Sequence, residues 1–403
     1  MSEYKISGHC RYVKGAVASS IYDLYHGNVF SLNSDATYLL DRALEGKVDA
    51  EAEDLLQKLC TQKLLNCDNL SETVNNYTEK IALRYVWLEL TNRCNCRCLH
   101  CYGAFGCPSK DSLNQELSDD EWMKIIDVIA SAGCKAIQLI GGEPLLFPHF
   151  CELLYYAHDR GIPSIDVFTN GTLMTTKILN AVKRTGASVR VSLYGHDAAT
   201  HDGITQSNGS FSKLDHTLDQ LRKFEIPTRI AVVLMRENQS YLERIKAYIE
   251  NKGHLYTGFD TVRKVRHSEQ LSHAATDPSI IVERLMSKPS FCTSNSDFEI
   301  NSRWNSCWYG KCAITAIGDV IPCIFARDKK CGNIHVDSFV DIRESLLSFW
   351  GINKERVEVC RDCEFRYACD DCRPLAEGET GNLLAKYPRC LYNPYEAQWS
   401  SSS

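Results

Sequence analysis

Residues 85–102 read YVWLELTNRCNCRCLHCY, an apolar run that passes directly into a cysteine-rich segment. Three of these cysteines, Cys94, Cys98 and Cys101, are separated by three and then by two residues. A [4Fe-4S] cube normally takes four cysteine ligands. Three thiolates in one short loop therefore indicate a cube with one iron left open for a small molecule. Taken alone, such a loop is also compatible with zinc or with structural cysteines.

The composition is that of a globular protein. With 403 residues, of which 44% are hydrophobic and 24% charged, the chain is long enough for more than one domain. Residues 1–15 contain no apolar signal run, and no segment approaches the apolar length of a membrane helix. Because twenty cysteines without a secretion signal favour reduced thiols, we expect a cytoplasmic protein. The net charge of -6 argues against nucleic acid as a partner, and no membrane binding is expected.

Strand and helix patterns alternate six times between residues 84 and 265. The predicted strands are apolar runs, typical of a parallel sheet covered on both faces, at 85–90, 136–140, 164–168, 188–193, 229–235 and 256–262. Helical patterns lie between them at 119–132, 148–160, 176–185, 212–224 and 241–251. Six βα units indicate an α/β protein with a partial (β/α)6 TIM-like barrel, whose chemistry lies at the carboxyl ends of the strands.

Two further regions flank the predicted barrel. β-prone runs around residues 19–32, followed by helical patterns near 34–46 and 51–65, indicate a small winged-helix-like module. Glycines, aromatic residues and closely spaced cysteines from residue 303 onward are typical of loops organised by metal. We therefore expect domains at 1–82, 83–266 and 303–403, with a bridging segment at 267–302.

Short motifs follow the second, third and fourth predicted strands. They are Gly141, Gly142, Glu143 and Pro144 after the second strand, Asn170 after the third and Ser192 at the end of the fourth. The two glycines let a backbone approach a ligand closely, and the glutamate can accept a hydrogen bond from an ammonium group. Each segment alone is also compatible with an ordinary turn. Their positions at consecutive strand ends favour one binding site.

Eight more cysteines in the C-terminal region have the spacing of metal ligands. They are Cys307, Cys312, Cys323, Cys360, Cys363, Cys369, Cys372 and Cys390. Eight thiols could fill two cubes, although paired CxxC units are also the usual sign of zinc sites. The nine remaining cysteines, Cys10 and Cys96 among them, lack partner spacing, and we expect most of them to be small buried apolar residues.

The cysteine loop and the strand-end motifs together resemble the radical S-adenosylmethionine (SAM) superfamily. The resemblance implies that Cys94, Cys98 and Cys101 hold a cluster that binds SAM, with Cys96 as a non-ligand. It also implies that His100 lies over the adenine of SAM.

The strand-end residues have SAM-binding roles by the same resemblance. Residues 141–144 would contact the methionine amino group of SAM, Ser192 its carboxylate, and Asn170 would shape the pocket floor. An arginine that often follows the fourth-strand segment in the superfamily is absent here, so Arg236 is a candidate partner for the carboxylate.

The C-terminal cysteines resemble the SPASM extension that follows radical SAM domains in peptide- and protein-modifying enzymes. Residues 360–373, CRDCEFRYACDDCR, carry this resemblance. It implies a first auxiliary cluster on Cys307, Cys312, Cys323 and Cys372 and a second on Cys360, Cys363, Cys369 and Cys390. Cys312 stands at an unusual offset from Cys307; without Cys312 the first auxiliary cluster would have an open iron.

The N-terminal pattern resembles the winged-helix-like domains that recognise leader peptides in the maturation of ribosomally made peptides; a structural cap is the alternative. The resemblance implies a maturase with SAM and three [4Fe-4S] clusters, supplied with electrons by a flavodoxin or ferredoxin. It would cleave SAM to a 5'-deoxyadenosyl radical, abstract hydrogen from a precursor peptide and install a thioether or carbon-carbon cross-link.

Alternatives are a sulfatase-maturase-like or cofactor-pathway enzyme, a peptide epimerase, and a non-enzymatic iron-sulfur or zinc module. No general acid or base is assigned.

Overall fold

The structure is a computed structural model that describes residues 4–66, 83–103, 105, 115–265, 268–283 and 291–400. The chain forms two compact units. The first comprises Met1–Lys80, Arg284–Tyr309 and Phe349–Ser403, and the second comprises Ile81–Glu283 and Gly310–Ser348. Within the described ranges, no helix has the length and apolar character needed to cross a membrane.

The N-terminal part of the first unit is a small antiparallel sheet with two helices. Its elements are β1 (Lys5–Ile6), β2 (Cys10–Lys14), β3 (Ser19–Asp23), β4 (Asn28–Leu32), α1 (Ser34–Leu44), α2 (Glu53–Thr61) and β5 (Leu65–Asn66). β2, β3 and β4 form a meander, and β1 pairs with β5. Asn33 starts α1 by accepting a hydrogen bond from Ala36 N. Ile21, Leu40 and Leu56 belong to the apolar core of this part.

The second unit is built on a sheet in which nine strands of the described residues take part. Six of them are β6 (Tyr85–Glu89), β7 (Ala136–Ile140), β8 (Ser164–Thr169), β9 (Ser188–Leu193), β10 (Thr228–Leu234) and β11 (Phe259–Thr261). These six lie side by side in chain order, and each pairs in parallel with the next. The α/β fold with a parallel partial barrel, predicted from the apolar runs, is confirmed.

Helices follow these strands along the chain, and the last helix lies beyond β11. They are α3 (Asp119–Ser131), α4 (Phe150–Asp159), α5 (Thr176–Thr185), α6 (Ala198–Thr205), α7 (Ser210–Lys223), α8 (Leu242–Asn251) and α9 (Pro278–Glu283). α3 begins with a capping box between Ser118 and Glu121, and Thr175 caps α5. α6 was not predicted, because its sequence AATHDGIT carries no apolar stripe. It matters for the site because the cysteine loop is attached to its end.

Three short strands extend the sheet beyond β6: β12 (Lys311–Ile314), β13 (Asp319–Ile321) and β14 (Gly332–Asn333). β12 runs parallel to β6, with Cys312 opposite Val86, and β13 and β14 follow as antiparallel strands. The sequence indicated loops organised by metal in this stretch. The structure instead orders part of it by backbone pairing with the barrel sheet.

The C-terminal part of the chain contributes mostly short elements. They are α10 (Asn295–Arg303), α11 (Phe339–Trp350), α12 (Arg373–Thr380), β15 (Tyr392–Asn393) and β16 (Gln398–Trp399). Within the first unit, this part is fastened to the N-terminal sheet. The Tyr22 hydroxyl of β3 donates to Glu364 O at 2.9 Å, and the Tyr22 ring packs against Phe298 and Tyr367.

Candidate metal centres

The cysteine loop, residues 91–102, is attached to α6 through its backbone. Arg97 N and Leu99 N donate to the carbonyl oxygens of Thr205 and Ile204, at 2.9 and 3.0 Å. The three predicted ligands Cys94, Cys98 and Cys101 are all partly exposed within it. Because backbone groups of a helix end hold the loop, the protein itself sets the conformation of its middle part.

The start of the loop is held by Glu116, a residue outside any recognisable motif. Its Oε1 accepts hydrogen bonds from the Thr91 hydroxyl at 2.9 Å and from Asn92 N at 2.7 Å. Arg93 Nε lies 3.7 Å from Glu116 Oε2. A carboxylate therefore anchors the first three residues of the loop.

Gly141 and Gly142, at the end of β7, lie against the same loop. Gly142 N donates to Thr91 O and Glu143 N donates to Arg93 O, both at 2.8 Å. A Cβ atom on Gly141 would lie 2.6 Å from Thr91 O, and one on Gly142 would lie 2.2 Å from Arg93 O. These glycines therefore let the end of β7 lie close to the cysteine loop. From the sequence we expected them to let the backbone lie close to a ligand.

Glu143 is fully buried, and protein donors hold its carboxylate. The Thr169 hydroxyl and Leu145 N donate to Oε1 at 2.6 and 3.1 Å, and Asn170 N donates to Oε2 at 2.8 Å. Pro144 is the first residue of the 3-10 turn Pro144–Leu146 that Glu143 caps. Burial raises the pKa of Glu143 to about 7, against the opposing effect of these hydrogen bonds. Glu143 Oε2 accepts only one of these three hydrogen bonds, from Asn170 N, and so can accept another from the ammonium group that the sequence predicts.

Asn170 bridges the end of β8 to the cysteine loop. Its Nδ2 donates to Asn95 Oδ1 at 2.8 Å and to Cys96 Sγ at 3.6 Å, while its Oδ1 accepts from Thr172 N at 2.9 Å. Cys96 is 2% exposed. In this buried position, Cys96 accepts a hydrogen bond that fixes the loop to the sheet.

His100 packs against Tyr194, which directly follows β9, with ring centroids 4.5 Å apart in an edge-to-face arrangement. Burial lowers the pKa of His100 to about 4, so its ring is neutral at neutral pH. Its Nδ1 is buried without a hydrogen-bond partner among the described residues. Ser192 is the last residue but one of β9, and its side chain is partly exposed. An unpartnered ring nitrogen beside the cysteine loop fits a ligand that the chain itself does not supply.

A titratable pair follows β10. His273 Nδ1 lies 2.6 Å from Glu237 Oε1, and both groups act electrostatically on His100. Glu237 Oε2 is buried without a hydrogen-bond partner among the described residues. The side chain of Arg236, the candidate partner for a carboxylate, is exposed, and its backbone N donates to His273 O at 3.0 Å.

A buried ion pair joins β6 to the segment after Cys323. Glu89 is fully buried at the end of β6, and Arg327 Nη1 donates to its two carboxylate oxygens at 2.7 and 3.0 Å. The Tyr102 hydroxyl donates to the same carboxylate at 3.4 Å. The sequence signal for this pair is weak: a charged residue within an otherwise apolar strand.

The four residues predicted for the second auxiliary cluster all lie in the first unit. They are Cys360, Cys363, Cys369 and Cys390. Cys360 is an electrostatic neighbour of each of the other three thiols. These four thiols are therefore electrostatically coupled, and their role as the ligands of one cube stays a prediction.

Lys354 adds a buried cation to this group of four thiols. Its side chain is 4% exposed, and Nζ lies 3.3 Å from Asp371 Oδ1. Burial alone would lower the pKa of Lys354, but Cys369, Asp371 and Cys360 outweigh burial and raise it. Nζ otherwise lacks a hydrogen-bond acceptor among the described residues. A buried ammonium beside four thiols fits an anionic cluster held by four thiolates.

The residues predicted for the first auxiliary cluster are divided between the two units. In the first unit, Asp371 joins two of them through the backbone. Cys372 N donates to Asp371 Oδ1 at 2.9 Å, and Asn305 Nδ2 donates to Asp371 Oδ2 at 2.8 Å. Asn305 Oδ1 in turn accepts from Cys307 N at 3.0 Å.

The other two predicted ligands, Cys312 and Cys323, are buried in the second unit. Cys312 lies in β12, and its electrostatic neighbours are Cys134 and Cys331. The cysteine spacing along the chain does not indicate Cys134 or Cys331 as a partner of Cys312. The complete ligand set of the first auxiliary cluster stays a prediction.

Comparison with known protein families agrees with this distribution of cysteines. The Radical SAM superfamily profile matches residues 88–249, and the SPASM profile, an iron-sulfur cluster-binding domain, matches residues 307–364. The chain is a radical SAM enzyme with a SPASM domain. It therefore binds SAM and iron-sulfur clusters. The three thiols of the loop fit these groups, as do His100 Nδ1, which has no hydrogen-bond partner among the described residues, and the lysine beside the four C-terminal thiols.

Relatives of this enzyme differ in what they are named for. An AdoMet-dependent heme synthase of Methanosarcina barkeri is 28% identical over 346 residues, covering 78% of this chain and 97% of that protein. The antilisterial bacteriocin subtilosin biosynthesis protein AlbA of Bacillus subtilis is 24% identical over 339 residues, covering 79% of this chain and 74% of AlbA.

Among solved structures, Streptococcus suis SuiB bound to the precursor peptide SuiA matches with a TM-score of 0.58 and 13% identity, covering 96% of this chain and 98% of SuiB. The enzyme anSMEcpe with bound AdoMet and a peptide matches with a TM-score of 0.57 and 16% identity, covering 78% and 94%. At these identities the likeness concerns the fold.

Proposed function

We propose that this radical SAM enzyme matures a ribosomal precursor peptide, and that it installs an intramolecular thioether or carbon-carbon cross-link. The observation that supports the proposal is the fold likeness to SuiB over 96% of the chain, since SuiB was solved with a precursor peptide bound. AlbA, the bacteriocin-biosynthesis relative, supports the same class of substrate.

In this proposal, residues 1–82 recognise the leader of the precursor. The support is the meander β2–β4 followed by two helices, in the order that the winged-helix resemblance implies. The module is also fixed within its unit, because the Ser20 and Tyr22 hydroxyls both donate to Glu364 O, at 2.8 and 2.9 Å. Glu364 adjoins Cys363, so a leader bound to the module would be held in the same unit as the four-thiol group.

The chain's own residues have distinct roles under this proposal. Cys94, Cys98 and Cys101 hold the cluster whose reduced form supplies the electron for cleavage of SAM. Neutral His100 offers a ring face and a free Nδ1 to the nucleoside, and Glu143 Oε2 accepts from the amino group. A flavodoxin or ferredoxin as electron donor, two auxiliary clusters and a cytoplasmic location belong to the same proposal.

A second candidate is modification of an iron tetrapyrrole. It is supported by the heme synthase of Methanosarcina barkeri, to which this chain is similar over 97% of that protein's length. This alignment covers 78% of the present chain, so more than a fifth of the chain has no counterpart in the heme synthase. A leader-binding module would have no evident use with a free small molecule, and this favours the peptide.

Co-expression with the small open reading frame beside the gene tests the proposal. For a cross-link, we expect the peptide to lose the mass of two hydrogens, and the loss should disappear in the variant with Cys94, Cys98 and Cys101 all replaced by alanine. An unchanged mass with deuterium uptake from heavy water would instead support an epimerase.

Anaerobic assays of the purified enzyme separate the two candidates. Formation of 5'-deoxyadenosine should be stimulated by the precursor peptide and not by an iron porphyrin. Stimulation by the porphyrin alone, together with an unmodified peptide, would replace the peptide proposal with the tetrapyrrole one.

A further inference from the structure

Three buried side chains of different ligand type meet at the first hairpin of the N-terminal module. Cys10 begins β2 and lies directly opposite Asp23, the last residue of β3. His9 precedes Cys10, and its carbonyl oxygen accepts from Leu24 N at 3.1 Å. His9, Cys10 and Asp23 are only 8%, 3% and 3% exposed. The Cys10 thiol, an imidazole nitrogen of His9 and a carboxylate oxygen of Asp23 lie within 4.8 Å of one another.

The polar atoms of this trio are incompletely satisfied by the chain. His9 Nε2 lies 3.9 Å from Asp23 Oδ1, which is too long for a hydrogen bond. His9 Nδ1 is buried and has no hydrogen-bond partner among the described residues. Leaving a buried polar nitrogen unpaired destabilises the folded state. His9 Nδ1 is therefore a buried nitrogen without a partner among the described residues, and Nε2 faces Asp23 at a distance longer than a hydrogen bond.

Neighbouring donors already orient the Asp23 side chain. Tyr25 N and His26 N each donate to Oδ1 at 3.1 Å, and His26 Nδ1 lies 2.6 Å from Oδ2. A carboxylate fixed by neighbouring donors is typical of a metal ligand, since such contacts orient the oxygen that binds the ion.

The surroundings of Cys10 are apolar. Its side chain belongs to the same core cluster as Ile21, Leu32 and Leu40. A divalent cation suits a buried site with one thiol and one carboxyl group, because it balances one thiolate and one carboxylate and leaves no net charge in the site.

We infer that His9, Cys10 and Asp23 form a zinc site in the N-terminal module, separate from the iron-sulfur centres. Sulfur, imidazole nitrogen and carboxylate oxygen are all ligands of Zn²⁺, whereas Ca²⁺ and Mg²⁺ take oxygen. Zinc also binds such a mixed site more tightly than Fe²⁺ does. Three protein ligands leave a fourth position for water or another small ligand. The bound ion would fix His9 to the β2–β3 hairpin.

X-ray absorption at the zinc edge of the full-length, cluster-loaded enzyme tests this assignment without a variant. We expect one sulfur at about 2.3 Å and nitrogen or oxygen neighbours at about 2.0–2.2 Å. Three or four sulfur neighbours would place the zinc at the cysteine groups intended for iron and would overturn the assignment. Absence of zinc from folded enzyme supplied with the metal would overturn it as well.

Metal content of variants provides the second test. We expect about one zinc per chain to be lost in Cys10→Ser, His9→Gln and Asp23→Asn. Cys151→Ser, which alters another buried cysteine, should retain the zinc. The variant with Cys94, Cys98 and Cys101 replaced by alanine should retain the zinc as well. Zinc retained in Cys10→Ser, or lost when only the cysteine loop is altered, contradicts the site.

Discussion

The cysteine loop after β6 and the four-thiol group of the first unit position their cysteines by different means. The loop is held by backbone hydrogen bonds from α6 and β7 and by glycines that bring two backbones into contact. The four thiols lie among short elements beside a buried lysine that is paired with Asp371. The first arrangement therefore depends on the parallel sheet, and the second depends on charge balance. The two should respond differently to loss of metal and to mutation.

Removing the loop thiols should have the largest effect. With Cys94, Cys98 and Cys101 all replaced by alanine, we expect SAM cleavage to be abolished, because these three thiols are the predicted ligands of the cluster that binds SAM. The measurement is 5'-deoxyadenosine formed by the reduced enzyme. The sheet should remain folded, since backbone contacts hold the loop, and circular dichroism checks this.

Cys96→Ala is the matched control for the loop. The Cys96 thiol accepts a hydrogen bond from Asn170 Nδ2 at 3.6 Å, and the residue is 2% exposed. The substitution should therefore lower stability slightly and leave SAM cleavage in place. Cleavage that survives the triple substitution, or disappears in Cys96→Ala, would show that the ligands have been misassigned.

The four-thiol group should be sensitive to its lysine. Lys354→Met removes the buried ammonium while Arg373 still pairs with Asp371, so we expect unfolding to become easier by about 1–3 kcal/mol. Iron bound in the first unit should fall, while SAM cleavage should persist. Lys58→Met, which breaks an exposed ion pair with Asp54, should change stability by less than about 0.5 kcal/mol. Equal effects of the two substitutions would mean that charge balance does not hold this group.

The same contrast explains what could be predicted from the sequence. The parallel strands are apolar runs that end in polar motifs, so both the strands and the order of the motifs follow from local pattern. β12 and β13 were missed because short strands that contain Cys312 and adjoin Gly318 look like metal-bound loops. α6 was missed because Gly203 and polar residues interrupt its pattern.

Contacts between distant positions account for the remaining differences. Glu89 and Arg327 are 238 positions apart, and the sequence around one does not indicate the other as its partner. Cys10 was expected to be a small apolar residue, and it is buried, but only the hairpin register brings Asp23 opposite it. The partner of a buried polar group is set by three-dimensional packing, which a search for spacing along the chain does not detect.

Glu143 links the sheet to the loop and should make stability depend on pH. Its pKa rises from 4.5 to about 7 on folding. The neutral carboxyl is therefore favoured in the folded state, so this contribution is complete below pH 4.5 and is lost as the pH rises through 7. The loss is on the order of 3 kcal/mol. Thermal unfolding of the anaerobic enzyme across this range measures it.

Glu143→Gln should flatten this pH dependence, because the amide does not titrate. Glu250→Gln alters an exposed glutamate of α8 and should leave the dependence unchanged. The same slope in Glu143→Gln as in the unaltered enzyme would assign the pH dependence to other groups.

Gly142→Ala tests directly whether the sheet positions the cysteine loop. The added Cβ would lie 2.2 Å from Arg93 O, so the loop or the end of β7 must move, at a cost of about 1–3 kcal/mol. Because a small misplacement can reduce a rate about a hundredfold, the rate of SAM cleavage should fall strongly while the free energy of unfolding changes only modestly. Gly203→Ala, where no atom lies within 4 Å of the added Cβ, is the control and should change neither. Unaltered cleavage in Gly142→Ala would mean that the bound cluster, and not the sheet, determines where the loop lies, and the two regions would then hold their cysteines in the same way.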